Sequence, residues 1–413
     1  MNRVKSRDAE GGLFISYDGL LDPLGESQIL PYVRGLARGR RMHVLSFEKP
    51  ARFSAGGQVL AARLREEGIE WRPLRFSQGA VGKAWDLLRM YATALWLGWR
   101  RRILIAHCRG HLAAQVGYLL KRVLGMRLLF DFRGLWVDER VDKGSWDLAR
   151  RSDRLAHALF KRTERRLVRA SDHIVVLTHA VILALQDMGV PRERITVIPC
   201  CADFTHFTVA DATERAVARQ KLGLPVDGTV MCYLGSIGPM YMTDKFLDFA
   251  EAAVECRQAS AVLCITPDLQ GIASAVESRR WTERGIPHVA VAARRDQVPG
   301  MLAAADVLVS FFLPTPARMG TSPTKMAECF AQGIPMVTNP GVGDVAELLQ
   351  RLSGGLLVDA SDSRAIRQAA QRLQEVASLG GDRLRAASRP LLGLEQANAR
   401  YQTVYQILES GPC

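Results

Sequence analysis

The sequence has no apolar stretch long enough to cross a membrane as a helix. A spanning helix needs about 20 consecutive, mostly apolar residues. The longest candidate, residues 84–105, is interrupted by Asp86, Arg89 and the run 100–102. The first twelve residues are polar and no long apolar segment follows them, so we expect no signal peptide. These absences predict a cytoplasmic location, with the inner face of the cytoplasmic membrane as the alternative.

The eight cysteines include no Cys-x-x-Cys pair, which is a common spacing of structural zinc ligands. Several of them, such as Cys232 and Cys264, lie inside apolar runs instead. Thiols in such runs behave as small hydrophobic residues and are typical of a reducing compartment. The pattern therefore argues against zinc and against a disulfide framework.

Acidic residues are fewer than basic ones, 42 against 55, which gives a formal net charge of +13. The remaining composition, 48% hydrophobic and 23% charged, is that of an ordinary folded protein. A basic surface suits polyphosphates, anionic membranes or nucleic acids, although a biased genome also produces a high arginine content. No zinc-finger, helix-turn-helix or ribonucleoprotein motif accompanies the charge, so nucleic acid is not an expected partner.

Strand-like apolar runs alternate with helical patterns along almost the whole chain, which is typical of parallel sheets covered by helices. The predicted strands are residues 13–17, 42–47, 69–74, 103–107, 127–131, 173–177 and 195–199, then 230–234, 261–265, 288–291, 307–310, 335–338 and 355–358. We therefore predict an α/β fold with two Rossmann-like lobes facing across a central cleft. The predicted lobes are residues 1–208 and 209–392, and a final helix at 393–413 is a candidate to cross back to the first lobe.

The segment 321–328 (TSPTKMAE) has an unusual helix start. Ser322 followed by Pro323 predicts an N-cap and a first helical residue. Lys325 then falls in the first turn, where the helix dipole disfavours a cation by about 0.3–1 kcal/mol. A bound anion at the helix N-terminus would reverse that effect, and Glu328, one turn on, could accept hydrogen bonds from a vicinal diol. The segment predicts a site for a diphosphate and a ribose, with a surface Lys–Glu pair as the alternative.

Two loops after predicted strands also carry candidate functional residues, because ligands of two-lobed α/β proteins bind at the carboxyl ends of strands. Gly25 and Ser27 lie at a helix start and suit the approach of backbone to a phosphate or sugar; a plain βα turn explains them equally well. Residues 131–140 contain three carboxylates, two arginines and a tryptophan. This second loop is predicted to belong to an active site, with a surface turn as the alternative.

Residues 84–105 have a second interpretation, as a helix that lies in a membrane interface. Apolar residues recur there at helical spacing, with arginines at the end: Trp85, Leu88, Tyr91, Ala92, Leu95, Trp96 and Trp99. Amphipathic helices with tryptophans and arginines bind anionic membrane surfaces. A peripheral membrane contact is therefore expected, with an ordinary helix packed on a sheet as the alternative.

Six segments along the chain carry a distinctive pattern: DGLLDPLGESQ (18–28), FRGLWVDER (132–140), VIPCCAD (197–203), YLGSIG (233–238), SPTKMAE (322–328) and GIP (333–335). Together they resemble GT-B glycosyltransferases of the family-four type, in particular those of bacterial surface-polysaccharide synthesis. No single motif decides the resemblance, but their order and spacing are specific, and they span about residues 12–410.

The resemblance implies transfer of a sugar from a nucleotide diphosphate-sugar to an acceptor hydroxyl, normally with retention of configuration. The implied acceptor is a glycan or a lipid-linked oligosaccharide of exopolysaccharide or other surface-glycan synthesis, and no cofactor is implied. The C-terminal lobe would bind the donor and the N-terminal lobe the acceptor. Carried over by position, the donor-binding residues are Gly25, Ser236, Ser322, Thr324, Lys325 and Glu328. Among these, Glu328 would bind the ribose hydroxyls.

The expected chemistry stabilises a departing nucleotide diphosphate. The sequence has no Asp-x-Asp metal motif, so the helix N-terminus and Lys325 are expected to do this rather than a metal ion. The expected catalytic residues are Asp131, Arg133, Asp138 and Glu139. An inverting reaction would need a general base, for which His107 joins the three carboxylates as a candidate.

One departure from the family pattern concerns the donor sugar. Gly320 replaces the first glutamate of the family's Glu-x7-Glu motif, so the carboxylate that grips the sugar is missing or is supplied by Asp344 or Glu347. A second departure is Arg133, which stands where the family often has histidine.

A third departure concerns the diphosphate. Ser236 follows Gly235 where the family usually has arginine, which removes one cation from the donor site. Lys325, Arg318 and Lys245 are the candidates to compensate for it.

Three other functions remain as alternatives. Residues 341–346 fit G-x-G-x-x-A after a strand, a weak match to a nicotinamide-binding fingerprint. A sugar-nucleotide epimerase of the same fold would need no acceptor site. A catalytically inactive homologue is the third alternative, because of Gly320 and Ser236.

Overall fold

The structure is a computed structural model that describes residues 11–411, apart from the side chain of Ala80. The chain divides into two compact units, residues 1–199 with 397–413, and residues 200–396. Most of the N-terminal segment, in which no signal peptide is expected, lies outside the described residues, and so does Cys413.

The first unit is built on a seven-stranded parallel sheet of order β3-β2-β1-β4-β5-β6-β7. Its strands are β1 (Gly12–Ser16), β2 (Met42–Glu48), β3 (Ile69–Arg75), β4 (Ile105–Arg109), β5 (Arg127–Phe132), β6 (His173–Val176) and β7 (Ile195–Val197). Most of these strands are buried along their whole length, and such strands form continuous apolar runs in a sequence. This burial explains why the sequence pattern predicts most of the seven strands, whereas β3 and β7 are only partly buried.

Eight α-helices connect the strands of the first unit. They are α1 (Pro23–Gln28), α2 (Leu30–Ala37), α3 (Pro50–Glu66), α4 (Gly79–Arg101), α5 (Gly110–Leu124), α6 (Trp136–Asp142), α7 (Arg151–Ala170) and α8 (Ile182–Asp187). Prolines open α1 and α3 because their fixed φ suits the first helical residue. The predicted start of β4 at Ile103 is wrong by two residues, since Arg102 adopts a left-handed conformation after α4 and the chain turns before the strand begins.

The second unit repeats this plan with a six-stranded parallel sheet of order β10-β9-β8-β11-β12-β13. Its strands are β8 (Val230–Leu234), β9 (Ala261–Ile265), β10 (His288–Val291), β11 (Val307–Val309), β12 (Met336–Thr338) and β13 (Gly355–Leu357). Its helices are α9 (Ala212–Leu222), α10 (Thr243–Glu255), α11 (Leu269–Ser278), α12 (Val298–Leu302), α13 (Thr324–Ala331), α14 (Val345–Leu352), α15 (Ser363–Ala370), α16 (Leu373–Ala377) and α17 (Asp382–Leu392). The two Rossmann-like lobes predicted from the sequence are thereby confirmed.

Both faces of the second sheet are covered by apolar side chains. One cluster contains Phe312, Met326 and Phe330, and the other contains Phe246 and Trp281. A sheet buried on both faces positions its strand ends rigidly, because each strand is packed from two sides.

The last helix, α18 (Leu394–Ser410), crosses back to the first unit, as the sequence predicts. Its buried stripe consists of Ala397, Tyr401, Val404, Tyr405 and Leu408. The hydroxyl of Tyr405 lies 3.2 Å from Nδ1 of His107 on β4. The first unit is therefore completed by the end of the chain.

Helix α4 is packed on one side and exposes large apolar side chains on the other. Met90, Ala94 and Leu97 are buried, whereas Trp85, Trp96 and Trp99 are 55%, 46% and 69% exposed. In the part of the chain that the structure describes, no helix combines the length and the hydrophobicity that crossing a membrane requires.

Most cysteines of the described residues lie in the interior of the fold. Six cysteines are buried, as predicted, and Cys256 is exposed just after α10. Within residues 11–411, no group of three histidine, cysteine, aspartate or glutamate side chains could hold a metal ion.

Candidate functional site

Each sheet reverses its strand order beside its first strand, between β1 and β4 in the first unit and between β8 and β11 in the second. The connections on the two sides of such a point leave in opposite directions, which opens a crevice at the carboxyl ends of the strands.

The ammonium group of Lys325 lies at the reversal point of the second sheet. Its Nζ is 3.3 Å from Oγ of Ser310, which directly follows β11. It also lies so close to Gly235, which follows β8, that a Cβ atom on this glycine would be 3.1 Å from Nζ. The backbone of Gly235 has a φ of +114°, which favours glycine for a second reason.

The start of α13 differs from the prediction by one residue. The helix begins at Thr324, and Pro323 is its N-cap, so Ser322 does not cap it. Oγ of Ser322 instead accepts a hydrogen bond of 3.1 Å from the backbone N–H of Cys200. Proline has no N–H and its ψ of 117° is extended, which delays the first helical residue. Lys325 stays in the first turn.

Three aromatic rings surround the ammonium group of Lys325. Its Nζ lies 4.3 Å from the ring centre of Tyr241, 5.1 Å from that of Tyr233 and 5.6 Å from that of Phe312. Burial lowers the pKa of Lys325 to about 8. No carboxylate of the described residues forms a salt bridge with it. A cation that lies among ring faces at a helix N-terminus, where the helix dipole disfavours it, and that has no salt bridge within the described residues, is an arrangement that fits a bound anion.

Glu328 lies one helical turn after Lys325 and is buried. Its carboxylate pairs with Arg295, in the loop between β10 and α12. The guanidinium carbon of Arg295 also lies 5.0 Å from the ring centre of Phe207. Burial raises the pKa of Glu328, while Arg295, then Lys325 and His206, act in the opposite direction.

Two other predicted donor residues of the second unit, Thr324 and Ser236, directly neighbour Lys325 and Gly235 in the chain. Thr324 is the first residue of α13 and is half-buried. Ser236 is exposed in the loop after β8, and its carbonyl oxygen accepts a hydrogen bond of 2.7 Å from the hydroxyl of Tyr233. The side chain of Ser236 therefore faces solvent beside the aromatic cage, which is formed by Tyr233, Tyr241 and Phe312 around Lys325. It does not supply the positive charge that an arginine would place there.

Of the proposed replacements for that missing cation, Arg318 fits better than Lys245. Arg318 is buried in a short 3₁₀ turn. Burial raises the pKa of Tyr241, and the charge of Arg318 opposes this shift in part. Lys245 lies on α10 and pairs with Asp248 at 3.2 Å. The positive charge near the cage therefore comes from Lys325 and Arg318.

Asp344 is the better placed of the two carboxylates named as substitutes at Gly320. The N–H of Gly343 donates a hydrogen bond of 2.9 Å to the carbonyl oxygen of Arg318, which joins the loop before α14 to the turn that ends at Gly320. Asp344 is half-buried at the N-cap of α14, whereas Glu347 is exposed on the helix.

In the first unit, Asp131 lies at the centre of a buried group of charges near the reversal point. Its carboxylate oxygens are 3.4 Å from Nη1 of Arg133, 3.6 Å from Nη1 of Arg109 and 3.9 Å from Nε2 of His107. Arg109, at the end of β4, is in turn 3.8 Å from the carboxylate of Asp18, which follows β1. The structure therefore brings two of the predicted catalytic residues, Asp131 and Arg133, together.

The electrostatics of this group keep Asp131 ionised and His107 neutral. Burial alone would raise the pKa of Asp131, but Arg133, His107 and Arg109 outweigh it and hold that pKa below its usual range. Burial lowers the pKa of His107, and Asp131 only partly opposes this. A buried carboxylate of low pKa between two arginines is a poor proton acceptor at neutral pH.

Asp138 and Glu139 lie on α6 and have other partners. The carboxylate of Asp138 is 2.8 Å from Nζ of Lys161 on α7 and 3.5 Å from His157. Glu139 pairs with Lys143 one turn further along, at 2.8 Å. None of these partners belongs to the group around Asp131, because the chain turns after β5 and carries α6 towards α7.

Gly25 lies on α1, and its lack of a side chain is explained by its own loop. A Cβ atom there would lie 2.0 Å from the carbonyl oxygen of Gly19 and 2.6 Å from that of Leu20. The loop is held by the buried carboxylate of Glu48, which accepts a hydrogen bond of 2.7 Å from the N–H of Leu20. Close packing of backbone on backbone thus accounts for the glycine.

Sequence reasoning missed several residues that the structure places at these sites. Arg109 is not among the predicted site residues because the predicted fourth strand stops at His107, whereas β4 continues to Arg109. Arg295 stands in an Arg-Arg pair in the loop after β10, and this local basic pair was its only signal. Two of the three rings around Lys325, Tyr233 and Tyr241, come from β8 and the loop after it, and Phe312 comes from the loop after β11, so no single local motif contains all three.

Comparison with known proteins assigns both units to glycosyltransferase families. A family model described as "Glycosyl transferase 4-like domain" matches residues 26–201, and one described as "Glycosyl transferases group 1" matches residues 229–375. The D-inositol 3-phosphate glycosyltransferase of Thermobispora bispora is 25% identical over 315 residues, which are 73% of this chain and 70% of that protein.

Solved structures show the same fold. Anabaena HepE, crystallised with UDP and glucose, has a TM-score of 0.69 at 16% identity over 96% of this chain and 99% of its own. WaaG, a glycosyltransferase involved in lipopolysaccharide biosynthesis, has a TM-score of 0.59 at 14% identity over 96% of this chain and 97% of its own. This chain belongs to the GT-B glycosyltransferases of the family-four type, enzymes that use a nucleotide-sugar donor.

Proposed function

We propose that the protein transfers a sugar from a UDP-sugar to an acceptor of bacterial surface-glycan synthesis, with retention of configuration and without a metal ion. The observation that carries the proposal is the placement of Lys325 and Glu328 one turn apart on α13. A cation without a counter-ion lies at the N-terminus of α13, and a carboxylate lies one turn further on the same helix. These groups match the diphosphate and the ribose of a nucleotide donor.

The donor is assigned to the second unit. The N–H groups at the start of α13, Lys325 and Arg318 would stabilise the negative charge that develops on the departing diphosphate. Glu328 would accept hydrogen bonds from the ribose hydroxyls. UDP is the favoured nucleotide because HepE, which shares the fold, was crystallised with UDP and with UDP-glucose.

Retention of configuration is favoured by the state of the group around Asp131. An inverting enzyme needs a general base that reaches the acceptor hydroxyl. Asp131 is only 1% exposed, is paired with Arg109 and Arg133, and has a lowered pKa. We assign Asp131 the role of holding the two arginines at the strand ends, and Arg133 a role in binding the acceptor.

Asp138 and Glu139 are proposed to position α6 and not to act on substrate, because both are engaged in ion pairs. Gly25 is proposed to let α1 pack closely against the loop after β1. Ser236, Ser322 and Thr324 would contribute polar groups around the diphosphate.

The acceptor is proposed to be anionic. The net charge of +13 favours such a substrate. The named functions of similar proteins agree in this respect, since WaaG acts in lipopolysaccharide biosynthesis and the Thermobispora bispora enzyme is named for an inositol phosphate.

A peripheral contact with the inner face of the cytoplasmic membrane is part of the proposal. Trp85, Trp96 and Trp99 are exposed along α4, and Arg100 and Arg101 end the helix. Liposomes of mixed neutral and anionic lipid should co-sediment the protein at low salt and much less at high salt. A variant with Trp96 and Trp99 replaced by serine should stay in solution. No sedimentation of the wild type at low salt would contradict the membrane contact.

The donor assignment is tested by calorimetric titration with UDP, GDP and NAD. We expect UDP to bind, and Glu328→Ala to weaken it by at least about tenfold, since a lost hydrogen bond to a charged group costs about 1.5–3 kcal/mol. Glu347→Ala is the matched control, because Glu347 is exposed on the neighbouring helix α14. Binding of NAD alone, or an unchanged UDP affinity in Glu328→Ala, would contradict the proposal.

A further inference from the structure

The first unit contains a cavity of about 630 Å³ at the carboxyl ends of β2 and β3, just before α4. Its lining includes three cations, Lys49, Arg75 and Arg89, and no carboxylate. A volume of this size lies in the range of small-molecule sites. The cavity is separate from the group around Asp131, none of whose members lines it.

Positive charge is in excess around this cavity. Lys49 pairs with Asp22 at 2.9 Å, and Arg89 lies 3.5 Å from the carboxylate of Asp86. Asp22 is shared with Arg52, at 3.2 Å. Arg75 is exposed and forms no salt bridge with any of the described residues. The three lining cations and the neighbouring Arg52 therefore share two carboxylate partners, Asp22 and Asp86, and a bound anion would balance the remaining positive charge.

The wall of the cavity is held in one conformation. Asp86, which is fully buried, accepts hydrogen bonds of 2.8 Å from the N–H and 2.9 Å from the hydroxyl of Ser77. Its carboxylate also accepts a hydrogen bond of 3.3 Å from Tyr17. Nη1 of Arg89 donates to the carbonyl oxygen of Arg75 at 3.1 Å, which fixes the end of β3 against α4. A site with this support loses little entropy when a ligand binds.

The cavity also has an aromatic side. Trp85 on α4 lines it and is 55% exposed, and Phe76, which directly follows β3, lines it as well. Exposed apolar side chains continue along α4 from Trp85 to Trp99. A ligand here would place an anionic group among guanidinium and ammonium groups and a sugar ring or apolar chain against an indole.

We infer that this cavity binds a phosphate or diphosphate ester, the anionic end of the acceptor substrate. Arginine side chains bind phosphate oxygens through paired N–H groups, and lysine adds a point charge. The inference rests on the proposed function, in which the first unit holds the acceptor. The same chemistry serves a lipid-linked phosphate and a water-soluble sugar phosphate.

The test uses the full chain saturated with UDP, so that the donor site is filled. Inorganic pyrophosphate is titrated by calorimetry as the soluble probe. Phosphatidylcholine vesicles containing phosphatidic acid are the lipid probe, and vesicles with phosphatidylglycerol at equal charge are the comparison. The variants are Arg75→Gln, chosen because Arg75 forms no salt bridge, and Lys49→Gln. Arg63→Gln is the matched control, an exposed arginine on α3 whose loss changes the net charge equally.

We expect Arg75→Gln to weaken pyrophosphate binding roughly tenfold, the effect of losing one charge-assisted hydrogen bond. Arg63→Gln should stay within about twofold of the wild type, and UDP affinity should be the same in all variants. If Arg75→Gln weakens binding to the phosphatidic acid vesicles but not to pyrophosphate, the site is assigned to a lipid-borne phosphate.

Two negative results are distinguishable. If the wild type fails to bind UDP, the proposed function fails. If UDP binds but neither Arg75→Gln nor Lys49→Gln changes the affinity for pyrophosphate or for phosphatidic acid vesicles, the inference about the cavity is overturned. Thermal unfolding of each variant checks that the first unit is intact.

Discussion

Raising the pH from 7 to 9.5 should weaken the binding of UDP, because it removes the proton from Lys325. The ammonium group lies among three rings with no carboxylate partner in the described chain, and burial lowers its pKa to about 8. A bound diphosphate favours the charged lysine. Above pH 8, binding must therefore take up a proton, and the affinity falls as the pH rises.

The size of the effect follows from this pKa. Lys325 is about 90% protonated at pH 7 and about 3% protonated at pH 9.5. If the bound diphosphate keeps it charged, the Kd for UDP rises about 30-fold over this interval, which is about 2 kcal/mol. Calorimetry in two buffers of different ionisation enthalpy should show uptake of about one proton per UDP at pH 9.

The loss of the proton from Lys325 does not itself destabilise the fold over this interval, because its contribution to stability has the opposite sign. Its folded-state pKa lies below the ordinary value of 10.5. The unfolded chain therefore binds more protons between about pH 8 and 10.5, so this residue favours the folded state increasingly as the pH rises through that interval. Binding weakens in the same interval in which this contribution to folding strengthens.

Two variants and one control define the outcome. Lys325→Arg keeps its charge throughout and should give a nearly flat pH profile, and Lys325→Met should bind UDP weakly at every pH. Lys245→Met, which removes a lysine paired with Asp248 on α10, should keep the wild-type profile. A wild-type Kd that changes less than about threefold, or a Lys325→Met variant with the wild-type pH dependence, would refute the reasoning.

Three further variants test other parts of the structure. Arg295→Gln removes the guanidinium that opposes the raised pKa of Glu328. The pKa of Glu328 should then rise further, so UDP affinity relative to the wild type, followed by calorimetry, should fall as the pH is lowered, and a loss independent of pH would contradict this role. Asp131→Asn leaves two guanidinium groups buried beside a neutral side chain, so urea unfolding should show a loss of about 3 kcal/mol, and no loss would contradict the ion-pair assignment. Gly25→Ala should cost about 1–3 kcal/mol by the same measurement, whereas Gly39→Ala, with nothing within 4 Å of its Cβ position, should be close to neutral.

The fold was predictable because its signals are local. Most strands of the two sheets are short apolar runs separated by helical patterns, and β3, which carries Glu70, Arg72 and Arg75, is an exception. The relation between Lys325 and Glu328 was predictable for the same reason, since residues three apart on a helix share a face. Their functional roles remain predictions.

The interactions of the other candidate residues could not be predicted, because their partners are distant in the sequence. A cluster of carboxylates indicates either an active site or an ion-pair network, and Asp138 is distinguished by its partners on α7, which are His157 and Lys161, the latter 23 residues away. Likewise, Arg295 meets Glu328 only through the folding of the second sheet. The composition gives the number of charged residues but not the side chains that surround each of them in the fold.

The return of α18 to the first unit has a consequence for how the chain folds during synthesis. Tyr405 contacts His107, and a Cβ on Gly12 would lie 2.8 Å from its hydroxyl, so the core of the first unit includes residues from both ends of the chain. Residues 200–396 form one continuous segment and can fold as soon as they leave the ribosome. The first unit, although begun earlier, stays incomplete until residues 397–411 have been made, so the order of synthesis and the order of completion are reversed.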